Sequence, residues 1–218
     1  MFKPTRLSIT RHLAASAVVL LLSGSAWAVP AAQFDSAFET FTQARAGNSN
    51  AIDKSAESFA ALLKAEPVNP LLMAYAGAST AMRANTTWLP WKKMTYAEDG
   101  LALLDKALAL LNASHHVPPI KGVPAALEVR LIAANTFLAV PGFMNRGARG
   151  AKLLTELVAS PLLASTPLGF RGEVWLTAAE QASKQGRLEE ARGFLNEVLK
   201  ASAPQASVAR TKLAGLAS

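Results

Sequence analysis

The sequence predicts an all-α protein: an α-α solenoid of antiparallel helix pairs closed by a C-terminal capping helix. Three observations lead there. Beyond residue 28 the chain is rich in Ala and Leu, with little β-branched alternation, and its apolar residues recur at helical spacing. Pro and Gly then break that periodicity into eight or nine short segments. Finally, large and small residues recur at corresponding places in successive helix pairs, as a stacked array requires.

Taken in order, Phe34, Phe38 and Phe41 fall at i, i+4 and i+7 and predict a first helix that stops near Gly47. Ile52, Phe59, Leu62 and Leu63 mark a second, closed by Pro67 and Pro70. Pro70 suits the first turn of a third helix, running to about Asn85, because its missing N–H would be unpaired there anyway. Thr95-Tyr96-Ala97-Glu98 has the pattern of a capping box and predicts the start of a fourth, continuing through Leu101, Leu104, Leu108 and Leu111. Pro118, Pro119 and Pro124 precede a fifth over 124–140, and a sixth spans 145–159. The seventh (168–185) and eighth (188–201) meet at Gly186, and a last helix follows Pro204. Short connections make neighbouring helices antiparallel.

Residues 1–28 stand apart from this pattern. Lys3, Arg6 and Arg11 give a basic start, 13–22 is a short apolar run, and Ala26-Trp27-Ala28 matches an A-x-A cleavage site. A cleaved signal peptide over 1–28 is expected, with the helical domain over 29–218 and no transmembrane anchor after cleavage. The run is too short to span a bilayer comfortably. Its length and composition look bacterial, which makes the periplasm the expected address. Cleavage leaves 190 of the 218 residues and lowers the formal charge from +7 to +4, because three cations and no acid are lost. That mild excess falls short of a nucleic-acid-binding balance. The chain has no cysteine, so stability rests on packing alone.

Trp175, Ala179, Ala182, Gly186, Ala191 and Leu195 have the spacing large, small, small, turn glycine, small, large. This resembles the tetratricopeptide repeat, most closely over 175–203. Ser55, Phe59 and Pro67 resemble the second half of another copy. Residues 70–84 with Gly77, followed by Gly100, Leu104 and Ala107, resemble the next, and a degenerate third pair covers 127–159 with Ala133 or Ala134 in the small-residue role. The resemblance implies a superhelical scaffold and a protein-binding role in an envelope assembly or transport system.

Against that frame one stretch is irregular. Ala179 and Ala191 are 12 residues apart but Gly77 and Gly100 are 23 apart, an insertion of 11 that carries Thr87-Trp88-Leu89-Pro90-Trp91-Lys92-Lys93-Met94. The third pair also has a long connection, Val140-Pro141-Gly142-Phe143-Met144-Asn145-Arg146. Both join the first helix of a pair to its second, so both are expected on one edge. There Trp88, Trp91, Phe143 and Met144 would join Lys92, Lys93, Arg146 and Arg149 in one patch. Cations at helix N-termini oppose the macrodipole, whereas an anion suits free N–H groups and basic side chains. The binding surface expected is therefore an aromatic, basic edge for an anionic partner segment. The competing reading has Trp88 and Trp91 folded back to cap the core, the commoner fate of loop aromatics. Arg130 and Asn135 on the fifth helix are candidates for the groove, unless they form a solvated polar stripe.

Chemistry-bearing constellations are scarce. His115-His116 is the only histidine pair after residue 28; adjacent helix residues diverge by about 100°, a poor ligand spacing. No nucleophile elbow, phosphate-cradling loop or metalloprotease motif occurs. Asp35/Glu39 and Glu189/Glu190 read as solvated helix faces. The expectation is a non-catalytic periplasmic adaptor or scaffold, without cofactor or metal, whose partner is another envelope protein or peptide segment. The alternative is a periplasmic solute-binding helical protein with the aromatic insertion as a lid. An enclosed pocket lined by the Trp residues would favour the second, an open exposed patch the first.

Overall fold

The computed structural model describes residues 29–116 and 121–216. The expected signal peptide, 1–28, and the breakers Pro118 and Pro119 lie outside the described residues. Nine helices are found among the described residues: α1 (Ala31–Arg45), α2 (Ser49–Ala65), α3 (Pro70–Met82), α4 (Pro90–Ala109), α5 (Ala125–Ala139), α6 (Gly147–Val158), α7 (Leu168–Lys184), α8 (Leu188–Lys200) and α9 (Ala206–Gly215). Short 3-10 turns occupy Arg83–Asn85, Ala113–His116, Gly142–Met144 and Pro161–Ser165. None of the helices is long and apolar enough to cross a membrane.

Local chemistry sets most boundaries. Asn69 accepts from the N–H groups of Leu71 and Leu72 while Pro70 fills the first turn of α3. After α7, Gly186 adopts φ +73°, the Arg187 N–H reaches back to Ala182 O at 2.9 Å and the Gly186 N–H to Ser183 O at 3.0 Å. That is a Schellman stop, and the left-handed residue it needs is the turn glycine of the repeat pattern. Gly47 does the same after α1, and the next residue, Asn48, caps α2.

The start of α4 is a correction. Thr95 is not its cap; the helix begins five residues earlier at Pro90, after an extended Leu89, and Thr95 Oγ1 donates to Trp91 O inside the helix. A proline with preset φ opens the helix before the capping-box residues are reached.

The helices pack in neighbouring pairs, α1 on α2, α3 on α4, α5 on α6 and α7 on α8, with α9 against α8 and α3 also against α5. α3 is the central element: all of it except Thr80 and Met82 is buried, as expected for a helix apolar on every side. Its approach to α4 depends on two glycines. A Cβ on Gly100 would sit 2.5 Å from Gly77 O and 2.7 Å from Ala81 N, and one on Gly77 would sit 2.8 Å from Gly100 O. At the α5–α6 crossing Gly150 lies against Ala134 and Phe137. Of the two alanines expected to take the small-residue role, Ala134 is the one at this contact. Trp175 is half-buried and packs against the cluster of Ala179, Leu195 and Val198.

Phe34, Phe41, Phe59 and Tyr75 form an aromatic core beside α3. The Phe59 and Tyr75 rings stack with centroids 4.7 Å apart, and Phe41 meets Tyr75 edge-on at 4.9 Å. Such pairs contribute about 0.5–1.5 kcal/mol each beyond the area they bury. They also fix one wall of the cavity described next.

Candidate functional site

The first helices of the four pairs, α1, α3, α5 and α7, form most of the wall of an open cavity of about 840 Å³, with Ile52 of α2 and Ala97 of α4 also lining it. Phe38 and Phe41 come from α1, Tyr75 and Ala78 from α3, Ile132 from α5 and Phe170 from α7. This is the size and lining of small-molecule sites: an apolar wall with a few convergent polar groups. The polar groups include Thr42, Asn135, Thr136 and four ionisable residues, Arg45, Lys121, Glu128 and Glu173.

Three of those four charges already have partners. Arg45 Nη1 lies 2.6 Å from Glu173 Oε1, joining the end of α1 to α7 across 128 residues of sequence. Lys121 Nζ lies 3.0 Å from Asp35 Oδ1 and 4.0 Å from the Phe38 ring centroid, which ties the segment before α5 to α1. Both pairs are partly exposed, so each contributes about 1 kcal/mol or less. Their role is geometric: they hold α1 as the fourth wall.

Glu128 is different. It sits on α5 among buried Leu127, Val129, Leu131 and Ile132, and it has no cationic partner among the described ion pairs. The buried Tyr75 hydroxyl donates to its Oε1. Burial pushes the Glu128 carboxyl up to about 7, with Glu173 adding to the rise; the Tyr75 hydrogen bond and the Lys121 ammonium oppose it. Burial also raises the Tyr75 phenol well above its ordinary value, and the Glu128 carboxylate raises it further. The phenol therefore remains the donor, while the carboxyl gains or loses one proton near neutrality. A carboxyl so placed in a cavity is a functional-site candidate.

The residues expected from sequence fall into three groups. Asn135 lines the cavity, but Arg130 does not: its Nη1 turns back to Ala126 O on its own helix, 3.1 Å away. Trp88 is 83% exposed and Trp91 64%, so neither caps the core. Nor do they form a lid, since neither lines the cavity. The insertion extends α4 beyond α3 instead. Tyr96 lies level with Arg83, whose guanidinium stacks 4.7 Å from its ring, and residues 90–95 project beyond as an exposed overhang. Lys92 and Lys93 stand in its first turn, outside any described ion pair.

The single aromatic, basic edge is not what forms. Arg146 and Arg149 both close on Asp105 of α4, at 2.8 and 2.5 Å, and stack at 5.6 and 5.4 Å from the Phe137 ring centroid. Asp105 is about 21 Å along α4 from Trp91 at the usual helical rise. The two arginines are thus committed to an internal acid, far from the lysines. Phe143 is 67% exposed in its 3-10 turn, whereas Met144 packs on the core. His115 and His116 lie in a short turn where His115 Nδ1 accepts from Asn112 N–H. No cluster of three or more metal-ligating side chains is found among the described residues.

Sequence reasoning missed Tyr75, Glu128, Lys121, Arg45 and Glu173. One signal was available: a tyrosine in an all-round apolar helix must bury its hydroxyl and find a partner. The chain matches no protein-family model, no curated protein and no solved structure in the comparisons made.

Proposed function

We propose that the chain is a non-catalytic ligand-binding protein, built from tetratricopeptide-like helix pairs, that takes a small, mostly apolar molecule in the cavity between α1, α3, α5 and α7. The cavity carries this reading: about 840 Å³, walled by aromatic and aliphatic side chains, with a few polar groups aimed inward. The first helices supply most of the lining and the second helices only a few residues, as a short superhelix curving around a groove would give. Titration calorimetry with octanol tests it. Saturable 1:1 binding is expected, and a Thr42→Trp/Asn135→Trp variant, which crowds the cavity from two walls, should lose it. Equal binding by that variant would place the site elsewhere.

A periplasmic setting fits the same reading. Val29, the first residue after the expected cleavage site, is buried, and its backbone nitrogen lies 2.8 Å from Glu66 Oε1. Cleavage after Ala28 would put an α-ammonium there, a better donor to a carboxylate than an amide. N-terminal sequencing of the exported protein should therefore begin at Val29.

The exposed overhang favours a second role. Two tryptophans and two unpaired lysines at the tip of α4 suit docking to an acidic segment of another envelope protein. A photocrosslinker placed at position 88 should capture one defined partner. Retained complex formation by Trp88→Ala/Trp91→Ala would remove the overhang from that role.

A further inference from the structure

Among the described ionisable groups of the cavity wall, Glu128 is the one without an ion pair, although the Lys121 ammonium acts on it from a distance. Arg45 and Glu173 neutralise each other, and Lys121 is engaged by Asp35 and by the Phe38 ring. Glu128 is also the only one whose neighbours along its own helix are almost all buried apolar residues. Its Oε1 takes the Tyr75 hydroxyl, which leaves no described hydrogen bond on Oε2. Phe38, Phe41 and Tyr75 line the same cavity, Phe38 with the Lys121 ammonium 4.0 Å over its ring and Tyr75 with its hydroxyl on Glu128. A largely buried carboxyl without an ion pair is stabilised by a proton or by a ligand cation.

From this arrangement we infer that the cavity selects an amphiphile bearing a basic amine, whose ammonium ion-pairs with Glu128 while its apolar body lies against Ala78, Ile132 and Phe170. The inference rests on the ligand-binding reading above and names its ligand class. Lys121 and Arg45 face the same cavity, so selectivity depends on their partners, Asp35 and Glu173, holding them. An arriving ammonium replaces the carboxyl proton. Below neutrality, where Glu128 is protonated, binding releases that proton to buffer; above it, the ammonium meets a carboxylate already formed.

Three probes with one tail separate the outcomes: octylamine, octanol and octanoate, titrated calorimetrically at pH 8 into the protein and into Glu128→Gln. The wild-type chain should bind octylamine at least tenfold more tightly than octanol, and octanoate most weakly. Glu128→Gln keeps the shape and the Tyr75 hydrogen bond, and should reduce the amine-to-alcohol ratio to about one. Its thermal melt confirms that it folds. Repeating the octylamine titration at pH 6 in two buffers of different ionisation enthalpy should show proton release, absent in Glu128→Gln. Octanol or octanoate binding as tightly as octylamine, or an amine preference that survives in Glu128→Gln, would overturn the inference and leave the ligand-binding reading standing. No binding by any of the three probes would overturn both.

Discussion

Glu128→Gln is also the sharpest test of the site as a physical object, because it reads out without any ligand. Burial holds the Glu128 carboxyl in its neutral form up to about pH 7, whereas in the unfolded chain it ionises at about 4.5. Below 4.5 both states carry the proton. Between 4.5 and 7 the folded state keeps it and the unfolded state loses it, so rising pH favours unfolding. Above 7 both are ionised and the difference is constant. Stability from this group is therefore fully present below about pH 4.5 and lost by about pH 7. The shift corresponds to about 3 kcal/mol at roughly 1.4 kcal/mol per pH unit.

Gln mimics the protonated carboxyl, keeps an oxygen to accept from Tyr75, and does not titrate. Relative to wild type it should be nearly neutral at pH 4.5 and more stable at pH 8, by up to about 3 kcal/mol. For a chain of this size that difference corresponds to about 6–12 °C in Tm. Urea unfolding of both proteins at half-unit steps from pH 4.5 to 8 measures it, and the other carboxyls cancel because they are common to both. Stability curves that run parallel across that window would mean Glu128 titrates normally, and the buried carboxyl without an ion pair described above would be refuted.

Other expectations follow from particular contacts. Gly100→Ala drives a Cβ to 2.5 Å from Gly77 O, a backbone atom with nowhere to move, and should cost roughly 2–3 kcal/mol in denaturant unfolding despite alanine's better helix propensity. Trp88→Ala/Trp91→Ala should leave stability within about 0.5 kcal/mol, since both rings are exposed; a loss above about 2 kcal/mol would show that they pack. Glu66→Gln should destabilise a chain beginning at Val29 by about 1 kcal/mol more than a chain beginning at Ala28, because only the first places an ammonium against Glu66. Equal costs in the two chains would remove the link between Glu66 and the processed N-terminus.

The helices were legible because their causes are local. Apolar periodicity marks α1 through α8, Pro70 and Asn69 start α3, and Gly186 supplies the left-handed residue that stops α7. The repeat pattern also located real contacts, since Gly77 and Gly100, matched across the insertion, are the residues that touch. What misled was a competition between two local signals. Thr95-x-x-Glu98 has the pattern of a capping box, but Pro90, five residues earlier, opens the helix in the structure. Choosing the later start turned the first five residues of the helix into a loop, and a loop can fold back as a lid or reach a neighbouring connection. A helix that projects from the body can do neither, which is why the tryptophans are exposed and the lysines stand apart from Arg146 and Arg149.

The cavity was illegible for the opposite reason: every relation that makes it is long-range. Tyr75 and Glu128 are 53 residues apart, and Arg45 and Glu173 are 128 apart. On a helical wheel Glu128 reads as an ordinary first-turn acid of α5, favourable to the helix dipole and needing no further account. Only when α3 is seen to be buried all round does Tyr75 require a partner from another helix. Only when α1 closes on α7 does that partner lie in a cavity rather than on an open face. Likewise, Arg146 and Arg149 looked like uncompensated cations because their counter-ion, Asp105, belongs to a different pair. Charge patterning within a segment says what a residue would prefer. Which opposite charge it meets depends on the packing of pairs, and there Glu128 is the one charge among the described cavity residues that packing leaves without an ion pair.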